Sequence, residues 1–316
     1  MPTLVTGATG FLGGHLLARL SHRGEAVRAL VRREADADRL RAIGVEVAMG
    51  EITDANAVRA AAAGCGRVYH LAGVVSHRRR DLPRLRAANV DGTRNLLAAV
   101  DPGARVVHVS STAAIGLVAS PGDRADELSP FPAAAARLPY AATKHAGERL
   151  ALDAAAAGAD VVVANPGFLL GPGDTHRVST WPVFAYLSGR LRFTVPGGLA
   201  FADARDVAAG LIALAEGGRR GERTILASED GNLTWERFFE LVARVSGLQR
   251  RTFPLSAAAA TAAARVTPWI VSPDEVRAAA NWWFVSPAKA KRELDYTSRP
   301  LTETLRDTIA DECEEL

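Results

Sequence analysis

Tyr140 and Lys144 are the residues whose types and spacing most readily suggest chemistry. In Pro139-Tyr140-Ala141-Ala142-Thr143-Lys144 they stand four apart, so on a helix both side chains leave one face. An ammonium beside a phenol favours the phenolate and draws the tyrosine pKa down from about 10. That suits a general acid/base for carbonyl/alcohol interconversion. Four tyrosines, each with a 3-in-316 chance of a lysine four residues on, give about 0.04 such pairs by accident, so the spacing carries information. Ser110-Ser111-Thr112 adds hydroxyls at the end of a β-branched run, where one could hydrogen-bond a substrate oxygen beside Tyr140.

Elements able to position these groups are legible along the first half of the chain. Short β-branched runs at Thr3–Thr6, Ala26–Val31, Val45–Ala48, Arg67–Leu71, Arg105–Ser110 and Asp160–Asn165 alternate with helical stretches. Such alternation predicts an α/β fold with a parallel sheet and crossover helices. The clearest helix is Leu12–His22, with Leu12, Leu16, Leu17 and Leu20 on one face and Gly24 as its stop. After Asn165 the texture changes to a turn-rich Pro166, Gly167, Gly171, Pro172 and Gly173. Phe201–Ala215 then returns to the first domain, Thr224–Ala227 reads as one more strand, and Thr234 caps a helix through Val245. Ser256–Ala264 reads as an alanine helix. The expected organisation is a dinucleotide-binding domain over 1–165 plus about 201–228, and a smaller α+β substrate domain over 166–200 plus about 229–316.

Thr6-Gly7-Ala8-Thr9-Gly10-Phe11-Leu12-Gly13 follows a strand and opens a helix within the first βαβ unit. In that setting the glycines let the backbone approach a pyrophosphate, and the helix N-terminus offers N–H groups and a favourable dipole. An NAD-selective site places a carboxylate at the end of the second strand to hold the ribose hydroxyls. Here the chain reads Val31-Arg32-Arg33. Arginine donates to phosphate and accepts nothing, so Arg32 first, with Arg33 beside it, favours NADP(H), with NAD(H) as the alternative.

Composition excludes several other classes. A net charge of +3 with dispersed basic residues and no basic tail argues against nucleic acid, despite a pI near 9.1. Two isolated cysteines, Cys65 and Cys313, and seven histidines without HExxH spacing give no disulfide framework and no metal site. No apolar run reaches the roughly 18 residues of a bilayer span, and no basic, apolar leader precedes Thr3. A cytoplasmic protein with no membrane partner is expected.

Taken together, the motifs TGATGFLG (6–13), HLAG (70–73), NVDGTRNLL (89–97), VSSTAAIG (109–116), YAATKHAGE (140–148), NPGFLLGPGD (165–174), ARDVA (204–208) and VSPAKAKRELDY (285–296) resemble the extended short-chain dehydrogenase/reductases, the NAD-dependent epimerase/dehydratase family. By texture the chain is similar to the dihydroflavonol-reductase-like and hopanoid-associated sugar epimerase-like branch. The resemblance implies a Rossmann-type doubly wound sheet. It makes Thr112 the catalytic hydroxyl and Tyr140 the acid/base, has Lys144 bind the nicotinamide ribose, and gives Asn89 a supporting role from its helix. It adds Leu71, Ala72 and Gly73 under the cofactor, Pro166, Gly167, Phe168 and Leu169 beside the nicotinamide, and Glu51 and Ile52 at the adenine. The family more often has aspartate where Glu51 stands.

Two departures bear on the reaction. The 4,6-dehydratases of the family follow the catalytic threonine with Asp-Glu, whereas Ala113-Ala114 follow Thr112 here. Sugar epimerases hold the nucleotide phosphate with an asparagine where this chain has Phe168, which points to a less polar substrate. The expected function is NADPH-dependent reduction of a ketone or aldehyde on a small, partly apolar molecule, a secondary metabolite among the candidates. The pocket is expected from Val74, Val75, Thr112, Phe168, Trp181, Phe184 and Phe193, with Trp282 and Trp283 packing the second domain. Arg78-Arg79-Arg80 motivates a second reading, a nucleotide-sugar epimerase or dehydrogenase whose diphosphate they would meet. A third reading is a non-catalytic NADP(H)-binding redox sensor; such proteins commonly lose the tyrosine or lysine, and both are present. The alanine-rich outer face of 140–158 allows a homodimer through helix packing.

Overall fold

The computed structural model describes residues 1–266 and 271–314. Strands β1 (Thr3–Thr6), β2 (Val27–Val31), β3 (Glu46–Met49), β4 (Arg67–His70), β5 (Arg105–Val109) and β6 (Val161–Pro166) lie at or within two residues of the expected bounds. The chain continues through β7 (Phe168–Leu170), β8 (Phe193–Thr194), β9 (Gly198–Asp203), β10 (Arg223–Leu226), β11 (Asn232–Thr234), β12 (Phe253–Pro254) and β13 (Trp282–Trp283). Seven of these form one sheet in the order β10-β6-β5-β4-β1-β2-β3, every pair parallel.

Strand alternation explains why helices cover both faces. Val5, Val31, Val107 and Val162 point to one side, where Leu12, Leu16, Leu17 and Leu20 of helix Phe11–His22 meet Val207, Leu211 and Leu214 of helix Ala204–Gly217. Leu4, Leu30, Val106, Val161 and Val163 point to the other, against Val58, Leu96, Ala151 and Ala155. Burial on both faces is the reason these strands read as unbroken apolar runs. The sheet is the expected doubly wound Rossmann-type fold. Its order reverses at β1, which pairs with both β2 and β4, so the carboxyl ends of β1 and β4 bound the crevice where ligands of such sheets bind.

The second lobe is the expected smaller α+β unit. Its sheet runs β11-β9-β13, with β7 also on β9. Strand β9 lies in this small sheet, although Phe201 was expected to open the return to the large one; the return begins at Ala204. In the lobe's core Phe201 stacks on Phe238, which meets Phe239 edge-on; both of the latter belong to helix Trp235–Ser246, whose N-cap is Thr234. Trp283 is buried and packs with Ala135 and Ala141, joining this lobe to the helix that carries Tyr140. Among the described residues, no helix is long and apolar enough to cross a membrane.

Candidate active site

The glycine-rich loop leaves β1 in a conformation its sequence requires. Gly7 has φ +73°, and a Cβ there would lie 2.8 Å from the backbone nitrogen of Ala72. A Cβ at Gly13 would meet the Gly7 carbonyl oxygen at 2.2 Å, so the helix presses directly onto the loop. Gly10 is the N-cap of Phe11–His22 and supplies no side-chain cap, leaving first-turn N–H groups open to an anion. Thr9 and Gly10 are exposed and Phe11 is half-buried, whereas the Leu12 side chain belongs to the core. This cradle, which any side chain would fill, fits a dinucleotide pyrophosphate.

Around it, the expected cofactor residues divide. Arg32 is exposed and makes no hydrogen bond or ion pair among the described residues. Arg33 is held by Asp36, at 2.7 and 3.1 Å, so its guanidinium is already engaged. Glu51 is exposed and accepts from the Thr53 hydroxyl at 3.3 Å. Ile52 packs under Gly92, and its carbonyl accepts from Asn95 at 3.1 Å. The Ala72 N–H donates to Thr6 Oγ1 at 3.2 Å, which sets Leu71-Ala72-Gly73 beside the loop. Pro166 and Gly167 are buried at the end of β6, and Phe168 and Leu169 follow half-buried on β7.

Tyr140 sits in the first turn of helix Pro139–Ala156, where Pro139 fills a position that needs no N–H. Burial raises its pKa above the usual 10, and a hydrogen bond with the Ser111 side chain pulls the other way. Lys144 is 9% exposed and donates from Nζ to the Val109 carbonyl oxygen at 2.8 Å. Burial lowers its pKa to about 8, with Glu148 opposing. The expectation that Lys144 draws the Tyr140 pKa down is therefore corrected: the ammonium is directed to Val109, and desolvation dominates at the phenol.

A second correction concerns the hydroxyl partner. Ser111, not Thr112, meets Tyr140. β5 ends at Val109, Ser110 turns inward with an unpartnered Oγ, and Ser111 caps the short helix Thr112–Ile115 by accepting from the Ala113 N–H at 3.1 Å. Thr112 is buried as the first residue of that turn. The residues after Ser111 are Thr112 and Ala113, so no acidic pair follows this hydroxyl either.

Asn89 lies on a π-helical stretch, Ala87–Asp91, a distortion often found at functional positions. Its side chain accepts from the Val74 N–H at 2.8 Å and donates to the Val74 carbonyl at 3.0 Å and to Thr143 Oγ1 at 3.2 Å. It thus ties the loop after β4 to the Tyr140 helix. Four further residues escaped the sequence reading. Glu148 is fully buried and accepts from Asn165 Nδ2 at 2.6 Å, and Asn165 Nδ2 also donates to the Ser111 carbonyl at 3.0 Å. Arg223 pairs with Glu148 at 3.3 Å. His77 sets its ring edge-on to Tyr140 at 5.8 Å between centroids. One signal was available: Glu148 continues the four-residue spacing of Tyr140 and Lys144 along one helix face.

The expected pocket residues differ in exposure. Val74 and Phe168 are half-buried and Val75 is exposed, while Phe184 is buried in the small lobe under Trp181. Phe193 is exposed on the β8–β12 ribbon. A separate cleft of about 340 Å³ opens beside Pro139, lined by Arg79, Leu138, Ala257, Thr261 and Asn281 among others.

Residues 3–227 match the NAD dependent epimerase/dehydratase family. Sterol demethylase protein B of Methylococcus capsulatus is 38% identical over 72% of this chain and 70% of its own. The 4-hydroxy-2-methyl-3-oxo-4-farnesyl-3,4-dihydroquinoline-1-oxide ketoreductase of Stigmatella aurantiaca is 32% identical over 95% of this chain and 92% of its own. Among solved structures, that of gox2253 superposes with a TM-score of 0.85 at 29% identity, covering 99% of this chain and 98% of that one. With its parallel sheet, glycine cradle and Tyr140/Lys144 helix, the chain belongs to the NAD dependent epimerase/dehydratase family, the extended short-chain dehydrogenase/reductases.

Proposed function

We propose that the protein reduces a ketone or aldehyde on a small, largely apolar molecule, using NADP(H). The observation that carries this reading is the Tyr140 phenol, kept protonated by burial and hydrogen-bonded to Ser111. A phenol whose pKa lies above 10 is a proton donor at neutral pH, which is the state a reduction needs. When bound against the glycine cradle, the dinucleotide supplies hydride at its nicotinamide. Ser111 and Tyr140 hold the carbonyl oxygen, and Tyr140 gives that oxygen the proton that completes the alcohol. Lys144, charged at neutral pH with a pKa of about 8, offsets the phenolate left behind. Ser111 acts here in the role expected of Thr112, and Asn89 keeps the Val74 loop and the Tyr140 helix in register.

NADP(H) is supported by the unengaged Arg32, a donor fork with nothing else to bind. An apolar substrate is supported by Phe168 and by relatives whose names refer to a sterol and to a farnesyl-bearing ketone. The Arg78–Arg80 run, which motivated a sugar-nucleotide reading, is engaged: Arg78 with Glu275 at 3.3 Å, Arg79 with Asp274 at 3.7 Å, Arg80 with Asp81 at 3.9 Å. Incubation with NADPH and a panel of isoprenoid and polycyclic ketones should consume NADPH one-for-one with alcohol formed. Specific binding of UDP or GDP, with no NADPH consumed on any ketone, would overturn the proposal.

A further inference from the structure

We infer that the small lobe docks on the surface of an anionic phospholipid bilayer. Sequence supplies the first observation. Two stretches, 175–202 and 241–273, contain no Asp or Glu, in a chain whose 35 acidic residues elsewhere nearly offset its 38 lysines and arginines. Their described parts carry seven arginines: Arg177 pairs with Glu312 at 2.7 Å, whereas Arg190, Arg192, Arg244, Arg250, Arg251 and Arg265 form no ion pair among the described residues.

The second observation is where the apolar side chains go. The exposed large aromatics among the described residues are Trp181, Phe193 and Phe253, and all three lie on this lobe. Phe193 and Phe253 face each other across the β8–β12 pairing, 54% and 55% exposed, with ring centroids 6.4 Å apart. More than half of each residue therefore stays in contact with solvent in the isolated chain. Such patches on soluble proteins mark surfaces that meet something else.

The two sets of residues form one surface. Arg192 directly precedes Phe193, and Arg251 stands two residues before Phe253. Arg190 lies 5.2 Å over the Phe184 ring, which Trp181 touches at 5.4 Å. Arg250 donates to the Leu187 carbonyl at 2.9 Å, beside Gly189. Past Leu255 the ribbon runs into helix Ala257–Val266, where Ala260 and Ala264 face inward and Arg265 and Val266 face solvent.

Aromatic rings set among arginines, on stretches of chain that carry no carboxylate, match the interfacial layer of a bilayer, where rings enter the headgroup region and guanidinium groups meet lipid phosphate. A nonpolar protein surface would leave these arginines without a counter-charge. An acidic protein would satisfy them and leave the rings without a purpose. Lying on a bilayer needs no spanning helix. The same helix contributes Ala257 and Thr261 to the cleft beside Pro139, so docking would bring that cleft to the lipid surface. This last step rests on the proposed apolar ketone; the docking itself does not.

The test is cosedimentation of the full chain with phosphatidylcholine vesicles, alone and with phosphatidylglycerol added. Binding is expected only with phosphatidylglycerol, weakening as salt rises. Each arginine near a charged surface contributes about a fivefold change in partition, so Arg192→Gln with Arg251→Gln should weaken binding about 25-fold. Phe253→Ser should weaken it separately. Both variants should keep the circular dichroism of the parent. Failure of the parent chain to sediment with phosphatidylglycerol vesicles would overturn the inference. So would unchanged binding by the arginine variant, or light scattering that shows a stable dimer which Phe253→Ser dissociates, because a second copy would then cover the patch. Vesicle binding requires no turnover, so it can fail or hold independently of the proposed reaction.

Discussion

Replacing Lys144 with methionine should stabilise the fold while stopping turnover. The amine is buried with a pKa of about 8 in place of the usual 10.5. At about 1.4 kcal/mol per pKa unit, the charged form is disfavoured by about 3 kcal/mol at neutral pH. Methionine forgoes the hydrogen bond to the Val109 carbonyl, worth about 1 kcal/mol net. Glu148 keeps Arg223 at 3.3 Å as its counter-charge. The balance is a gain of about 2 kcal/mol, or roughly 4 °C in melting temperature for a chain of this size. The sign with pH follows from proton binding: between about pH 8 and 10.5 the unfolded chain binds the extra proton, so wild-type stability rises with pH through that window. The advantage of Lys144→Met should therefore narrow as pH climbs toward 10. Thermal unfolding of both proteins at pH 7 and pH 10 measures this. A variant less stable than the parent at pH 7, or an advantage that does not change with pH, would refute the reasoning.

Ser111→Ala should lower kcat for ketone reduction by about 100-fold, the scale of losing one positioned donor, whereas Thr112→Ser should stay within a few-fold; steady-state kinetics on both variants decides which hydroxyl acts. Arg32→Ala should weaken NADPH binding by about 10- to 100-fold, the strength of a charge-assisted hydrogen bond, and leave NADH nearly unchanged, as read by fluorescence titration. Glu148→Gln keeps the bond to Asn165 but loses the pairing with Arg223, so it should lower stability by about 3 kcal/mol in urea unfolding, in line with breaking a buried ion pair from one side.

The large sheet was legible because its strands are buried on both faces and so stand out as apolar runs between helices. The glycine loop was legible because its spacing sits between a strand and a helix; the structure adds why Gly7 and Gly13 admit no side chain. What escaped depends on facts a spacing does not hold. Three hydroxyls in a row cannot show which one meets Tyr140; that is set by the strand ending at Val109 and by Ser111 turning to cap the next helix. Glu148, Asn165 and Arg223 come together from three separate elements across the sheet. Lys144 has the spacing to charge Tyr140, yet its amine is claimed by a carbonyl on β5. Arg33 was read as a cofactor contact, and its pairing with an aspartate one helical turn on is a conformational detail that the spacing did not show. Phe193 and Trp181 are exposed, and composition does not say which way a ribbon or a helix faces.

The most direct test of a reductase centred on Tyr140 is to measure NADPH binding and NADPH consumption side by side in Tyr140→Phe, with the best ketone found for the parent protein. The account predicts binding within a few-fold of the parent and a rate lowered by about 100- to 10,000-fold, the scale of losing a positioned general acid. A Tyr140→Phe protein that reduces the ketone at the parental rate would contradict it.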